Sequence, residues 1–544
     1  MFEKFRKDCE KICGKYSPLL EKPRSGIADL ALPCFSLAKE QKRAPNEIAQ
    51  ELADRLKPRG FVGEIRAESG YVNFYADWKK LSGLVIKKIL AGVVIKRNKE
   101  RIMVEYSAPN SNKPLHIGHL RNDSIGMSVA NILCFAGFKV VKANLVNDRG
   151  IHICKSMLAY KKWGKNKKPS KKTDHFVGDY YVMFEKNKTP ELETETNEML
   201  RKWEENDKPT IALWKKMNNW AISGFRETYK NFGSEFDVWF FESDFYDKAK
   251  DIINSGMKKG IFFKDDSGNI VAKLEPYDMP NRVVLRADGT TVYITNDMAL
   301  TRHKFKKFKI AKSIWVVGNE QNLSFKQLFK IFELLGYRWN CHHLSYGMVN
   351  LPSGRMKSRE GTVVDADDLI AEMTMLASKE TKKRHKKISK VDLKNRSRQI
   401  ALAAIKYYML KVEPGRDILF DPEKAISFEG DTGPYIQYTY ARAMSILKKS
   451  KKKMKIGMIG EEEHSLAKKL SVFPEVVSSA ARDLKPHYIA NYIFSLASMF
   501  NEYYHKTQVI GSSEEQERLA LVKAVAITLK TGLELLGIDA IEKM

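Results

Sequence analysis

Apolar residues recur along this chain in three successive patterns. The first stretch mixes helical spacing with one alternating run, "GYVNFYAD" from Gly70 to Asp77; because alternate side chains of a strand share a face, this predicts a small α+β unit over residues 1 to about 90. From Arg101 onward, short β-rich runs alternate with helical stretches. "RIMVEYS" and "KVVKANLVN" read as strands, "SIGMSVANILCFAGF" as a helix between them, and "SIWVVGN" as a later strand. Such alternation predicts a parallel sheet covered by helices. Between about 155 and 280 helical patterning dominates, opened by the basic "KKWGKNKKPSKKTDH" and closed near "EPYDMPNR", so a helical insertion is expected to split the sheet domain. Beyond about 370 strand signals fade, and "RQIALAAIKYYMLKV" begins a helical pattern that predicts an all-α bundle. The expected organisation is multidomain α/β: an α+β domain over 1–90, a split parallel-sheet domain over 91–415 with its insertion at about 155–280, and a helical domain over 416–544.

Charge adds a class of partner to this picture. The 94 Lys and Arg outnumber the 66 Asp and Glu, and the net charge of +28 favours a polyanion through steering and counterion release. Charge alone names no site, since a proteome of generally basic proteins would give the same balance. The six cysteines, Cys9, Cys13, Cys34, Cys134, Cys154 and Cys341, include no pair at CxxC spacing. They are expected to be reduced thiols, with neither a disulfide framework nor a protein-bound zinc or other metal site. The charged start "MFEKFRKDCEKICGKY" lacks an apolar run, and no window approaches the ~20 apolar residues of a membrane span, so a cytoplasmic protein with no membrane partner is expected.

Candidate chemistry lies where the "RIMVEY" strand gives out. "SAPNSNKPLHIGHLRN", Ser107 to Asn122, places His116, Gly118 and His119 before a helix, where helix-end amides bind phosphate. Gly118 would permit close approach of a base or ribose, and Lys113 and Arg121 flank the motif with charge. Imidazole donors there could neutralise charge developing on a transferring phosphoryl group. Taken alone, the motif reads equally as a loop with two ordinary histidines. "SGRMKSREGTVV", Ser353 to Val364, carries cations around Ser358 between glycines and could meet a pyrophosphate, although alone it would be a plain basic turn. The order of strand, HxGH, helix, insertion and RMKSR makes the pair informative. Tyr293 and Asp297 lie four apart; if the chain turns helical at Thr295 they share a face and offer a phenol and a carboxylate to a planar guanidinium. An isolated pair of this kind would more often be a surface tyrosine and a capping aspartate. Asn147, Asp148, Arg149 and His152 either face a ligand cleft or cap the first helix of the insertion.

At these residues the chain resembles the class I aminoacyl-tRNA synthetases, and closely the arginyl-tRNA synthetase family, over nearly its whole length. "SAPNSNKPLHIGHLR" is similar to that family's HIGH motif, "VYITNDMA" and "WVVGNEQNLSFKQLF" to its amino-acid pocket and following strand, and "FEGDTGPYIQYTYARA" and "LGIDAIEKM" to its helical domain. The resemblance implies a Rossmann-like catalytic domain, an N-terminal domain touching the tRNA elbow, and a helical anticodon-binding domain. It implies ligation of L-arginine to tRNA(Arg) through an arginyl-adenylate, with ATP and Mg²⁺, a need for tRNA in the first step, and attack by the terminal 2′-hydroxyl. By the same resemblance, Gly118, His116, His119, Met356, Lys357, Ser358 and Arg359 would meet ATP. Glu105 would join Tyr293 and Asp297 at the guanidinium, although it could equally end a solvated strand, and Ser107, Asn110 and Gln321 would hold the amino-acid head group. Tyr435, Gln437, Tyr438, Arg442 and Met544 are candidates for tRNA contact, with at least half of the aromatics expected to be helix packing. A monomer is expected. The usual second loop reads Lys-Met-Ser-Lys-Ser, whereas Arg355, Met356, Lys357, Ser358 and Arg359 put Ser358 where the second lysine would stand. Lys113 is the favoured substitute cation, with Lys357 and Arg359 as alternatives. Three rival readings exist: a class I synthetase of other specificity, a small HxGH adenylyltransferase, and a non-catalytic RNA-binding paralogue. The first would lose the Tyr293/Asp297 pair, the second would lack the helical tail, and the third would erode His116, Gly118, His119 or Asp297, all of which are present.

Overall fold

Five parallel strands organise the centre of the molecule: β1 (Arg101–Glu105), β2 (Lys139–Val146), β3 (Val238–Phe241), β4 (Lys312–Gly318) and β5 (Asn340–Tyr346), in the order β5-β4-β1-β2-β3. The computed structural model describes residues 3–23, 28–92, 98–246, 248–352, 364–457 and 459–544. Helix α1 (Ile117–Phe135) crosses from β1 to β2 and is buried along nearly its whole length, consistent with its lack of a polar face. After β3 the chain returns on the other side of β1 as β4. That reversal opens a crevice at the carboxyl ends of β1 and β4, where open α/β sheets bind their ligands.

The insertion differs from its expected form. Four helices, Ile151–Trp163, α2 (Thr173–Lys186), Pro190–Glu204 and α3 (Lys208–Phe232), lead directly into β3, so the sheet resumes at Val238 instead of after 280. A second piece follows: helix Lys250–Lys258 and a small antiparallel sheet of Phe262–Lys264, Ile270–Ala272 and Arg282–Leu285, ahead of α4 (Tyr293–Phe308). The sequence concealed this because "VWFF" is too short for periodicity to separate a buried strand from a helix turn.

The N-terminal unit holds a three-stranded antiparallel sheet with Tyr71–Ala76 at its centre. Buried Asp29 ties it down, accepting from Ala76 N at 2.9 Å and Trp78 Nε1 at 3.2 Å and pairing with Lys468 of the helical region at 2.7 Å. The helical region begins with α5 (Ala366–Arg384) and α6 (Lys390–Leu410) and continues through Gly433–Lys449 to Glu515–Leu535. All six cysteines are free thiols, and no helix among the described residues is long and apolar enough to cross a membrane.

Candidate active site

β1 ends in a strained turn. Ser107 and Ala108 have φ of 77° and 52°, a left-handed conformation that costs a non-glycine residue about 1–2 kcal/mol. Two buried amides hold it: Asn122 Oδ1 accepts from Ser107 N at 2.6 Å, and Asn144 Oδ1 from Ala108 N at 3.2 Å. The Ser107 hydroxyl is buried 2.7 Å from that of Tyr229, so it is engaged inside the protein and does not face the crevice.

His116 is the N-cap of α1. Its Nδ1 accepts from Gly118 N at 3.1 Å, and His119 Nδ1 accepts from His116 N at 3.1 Å. With both Nδ1 atoms used as acceptors, the proton of each neutral ring resides on Nε2, leaving two N–H donors side by side with ring centroids 4.0 Å apart. Burial, reinforced by Lys113, pushes His116 down to about 4. Burial, with the His116 ring and Lys113 adding to it, holds His119 well below the usual imidazole range. Both rings are therefore neutral donors at physiological pH.

Two neighbours of the motif have structural roles that spacing did not show. A Cβ on Gly118 would lie 2.9 Å from His116 Cε1, so this glycine makes room for the histidine ring. Arg121 is fully buried and donates to the carbonyls of Met348 and Pro414 at 2.9 Å and of Arg416 at 2.5 Å, which makes it a clamp behind the site. Lys113 is half-buried and has no ion pair among the described residues. Arg355, Met356, Lys357, Ser358 and Arg359 lie outside the described residues. Val364, just after them, accepts from Ile117 N at 2.9 Å, so the chain re-enters beside the histidines.

The second half of the site is acidic. α4 starts at Tyr293, two residues earlier than the Thr295 turn required, and Tyr293 and Asp297 stand one turn apart. Burial and the nearby Glu105 push Asp297 up to about 7. Glu242, just past β3, is buried and raised to about 8 by burial and by Asp297. Nothing in the spacing singled out Glu242, and an acid closing the strand "VWFF" was the only signal. Glu105 is neither solvated nor unpaired: it is buried and ion-paired at 2.6 Å with Lys304, which is itself fully buried over the Trp315 ring. That partner lies far along the chain, which is why the sequence did not reveal it.

Around these acids, the Asn147 amide donates to Glu242 and bonds Tyr293, while Tyr293 itself is 58% exposed at the mouth. Asn110 bridges to Asn147, and Gln321 is exposed just beyond β4. Of the residues left open, Asp148 is a buried brace accepting from Ser243 N at 2.9 Å and Oγ at 2.7 Å. Arg149 pairs with Glu204 at 2.8 Å between the rings of Trp203 and Tyr246, and His152 meets Tyr181. The nearby cations Lys304 and Arg149 thus already have carboxylate partners. Asp297 and Glu242 are neighbours, Asp297 raising Glu242, and neither makes an ion pair among the described residues, Arg282 acting on Asp297 only from a distance; an incoming planar cation would relieve them.

A separate cavity of about 810 Å³ lies in the helical region, lined by Tyr438, Arg442, Tyr504, Arg396, His385 and Met544. The Arg442 guanidinium sits 4.9 Å over Tyr438 and 5.4 Å over Tyr504. Tyr435 lines an adjoining hollow and its hydroxyl accepts from Asn501. Gln437 does not join them: it is fully buried and donates to Asp539 O at 2.7 Å.

Comparison with known proteins agrees with this geometry. Residues 73–421 match the model of the class I (R) tRNA synthetase catalytic domain, 436–544 the DALR anticodon binding domain, and 2–76 the arginyl tRNA synthetase N terminal domain. An arginine–tRNA ligase of Treponema denticola is 41% identical, with 98% of this chain and 96% of the relative covered. One from Bacteroides fragilis is 40% identical over 95% and 93%. The arginyl-tRNA synthetase of Thermus thermophilus superposes with a TM-score of 0.83 at 29% identity, covering 99% of this chain and 100% of that one. With a family model spanning well over half its length and relatives this similar from end to end, the chain belongs to the class I arginyl-tRNA synthetase family.

Proposed function

We propose that the chain is an arginine–tRNA ligase whose first step proceeds at the carboxyl ends of β1 and β4. ATP, entering as its Mg²⁺ complex, lies over the N-terminus of α1, and the arginine carboxylate oxygen attacks its α-phosphorus. Pyrophosphate leaves, and the resulting arginyl-adenylate yields its arginyl group to a hydroxyl of the terminal adenosine of tRNA(Arg), releasing AMP. The Nε2–H groups of His116 and His119 donate to the α-phosphate region as charge develops, without taking a proton themselves. Lys113 supplies the mobile cation for the departing phosphates, alongside Met356, Lys357, Ser358 and Arg359. The substrate guanidinium lies between Asp297 and Glu242 with Tyr293 at its edge. Asn110 and Gln321 take the head group, while Ser107 contributes through the shape of its turn. Glu105 acts as the wall of the pocket, its charge met by Lys304.

The helical cavity suits a nucleic-acid loop, with Tyr438 and Arg442 offering stacking faces and Met544 its rim. We assign three units, 1–90, 91–415 and 416–544, to a monomer acting in the cytoplasm. The observation that carries this reading is the neighbouring pair of carboxylates, Asp297 and the buried Glu242, together with the neutral imidazole donors at the start of α1. Amino-acid-dependent pyrophosphate exchange, with and without bulk tRNA, tests it: exchange that depends on arginine supports the reading, and exchange driven by another amino acid overturns it.

A further inference from the structure

One cluster of buried charge lies outside the site yet touches it. On α2 and the residue before it, Lys172 Nζ stands 2.8 Å from both Asp174 and Asp367 and 2.7 Å from Thr228 Oγ1 of α3. His175 Nε2 lies 3.1 Å from Asp367 and 3.6 Å from Asp365. Asp174 is fully buried against Gly224 of α3, where any Cβ would collide with its carboxylate. Asp174, His175 and Asp367 have donor types that suit a metal ion. The Lys172 ammonium already lies between the two carboxylates, so the cluster is an ion-pair network.

What the network holds is the signature segment. Asp365 caps α5, accepting from Asp367 N at 2.8 Å, and its backbone bridges to that of His116. On either side of that bridge, Ala366 N donates to Leu115 O at 3.0 Å and Ile117 N to Val364 O at 2.9 Å. One turn along α2 from His175, Gly178 lies against the other end of the same segment. A Cβ there would come within 2.8 Å of Pro114 Cδ and 3.7 Å of Lys113 Cα. A single helix face therefore meets the segment carrying Lys113 and His116 at two places, once directly and once through the start of α5.

We propose that α2 is a positioning platform for the adenylation site, with His175 acting through Asp365 and Asp367 and Gly178 acting on Pro114. The proposal rests on the reading of Lys113 and His116 given above. The hydrogen bond to Asp367 raises the His175 pKa, aided by Asp365 and Asp174 and opposed by burial and Lys172. The imidazolium is therefore present at low pH, and its grip is lost as pH rises through that raised value.

The test is arginine-dependent pyrophosphate exchange by the full chain with bulk tRNA, across pH and below the melting temperature of each variant. His175→Ala should lower kcat about tenfold while leaving the arginine KM within twofold. His175→Gln, whose amide reaches about as far as Nε2, should recover part of that rate and lose the alkaline step of the parent. Gly178→Ala should lower kcat and keep the step. If His175→Ala and Gly178→Ala keep the parent's kcat and pH profile while Lys113→Ala and His116→Ala slow exchange severely, the platform is wrong and the site reading survives. If Lys113→Ala and His116→Ala also exchange normally, the site reading itself fails. A loss in which the arginine KM rises in step with the fall in kcat, or in which His175→Gln retains the alkaline step, overturns the role given to His175.

Discussion

The pocket at Asp297 and the cavity at Arg442 are built on opposite charge plans. In the first, Lys304 and Arg149 are already committed to Glu105 and Glu204, and among the described residues two carboxylates remain without an ion pair. In the second, Arg396, Arg442, Lys449 and Lys543 gather around tyrosines, with Glu542 the acidic side chain among the described lining residues. The residue types overlap, and the difference lies in which sign is left over once internal pairs are formed. A leftover carboxylate pair calls for a compact cation, whereas leftover cations beside accessible rings call for a phosphate backbone with bases to stack. Counting charges without their partners would have hidden this, since Glu105 would add to the first pocket although its charge is spent.

The largest effect should come from breaking the acidic side. Asp297→Asn keeps size but leaves the guanidinium with Glu242 alone, a loss of about 3–5 kcal/mol for breaking a desolvated pair. The arginine KM should rise by at least a hundredfold with the ATP KM unchanged, as steady-state exchange would record. Because Asp297 and Glu242 are raised to about 7 and about 8, the unliganded fold loses stability as pH rises from the unfolded carboxylate range through those values. Asp297→Asn should therefore melt at the same temperature as the parent or higher at pH 8, and the parent's arginine KM should fall as pH rises from 6 to 8. A variant that melts lower and binds arginine normally would remove Asp297 from the pocket.

Next in size are the histidines, which belong to neither charge plan because they are neutral. His116→Ala or His119→Ala should each cost ~3 kcal/mol, about a hundredfold in exchange rate, with the arginine KM little altered. With His116 pushed down to about 4, its ring stays neutral as pH falls through the ordinary imidazole range. The exchange rate should show no acid limb near 6.5 from this ring, and a limb there that vanishes in His116→Ala would contradict its neutral state. The smallest effects are on the basic side. Arg442→Gln should raise the tRNA KM by about tenfold, or ~1–2 kcal/mol, flatten its salt dependence, and leave exchange at saturating tRNA intact. Gln437→Ala, by contrast, should lower stability by ~1–2 kcal/mol without changing the salt dependence of tRNA binding.

Much of this was legible in the sequence wherever local spacing carries the chemistry. The alternation of strands and helices around "RIMVEY" set the sheet, and the four-residue spacing of Tyr293 and Asp297 placed them on one face. The sequence was silent where a side chain's role depends on a distant partner. Glu105 needed Lys304, Ser107 needed Tyr229, and Arg121 needed the carbonyls at 348, 414 and 416. For Gly118 the pattern does not show that the His116 ring turns back over it. Gln437 sat among exposed-looking aromatics, yet the helix turns it inward to Asp539.

The central claim is that the acidic pocket selects its substrate by charge, and citrulline tests it most directly, because it matches arginine in shape and replaces the guanidinium with a neutral urea. With bulk tRNA present, arginine should drive pyrophosphate exchange roughly a hundredfold or more better than citrulline in kcat/KM, because the site would otherwise leave its carboxylates unpaired. Asp297→Asn should shrink that ratio mainly by losing arginine. Equal exchange with the two amino acids, or a ratio that Asp297→Asn leaves untouched, would contradict the account.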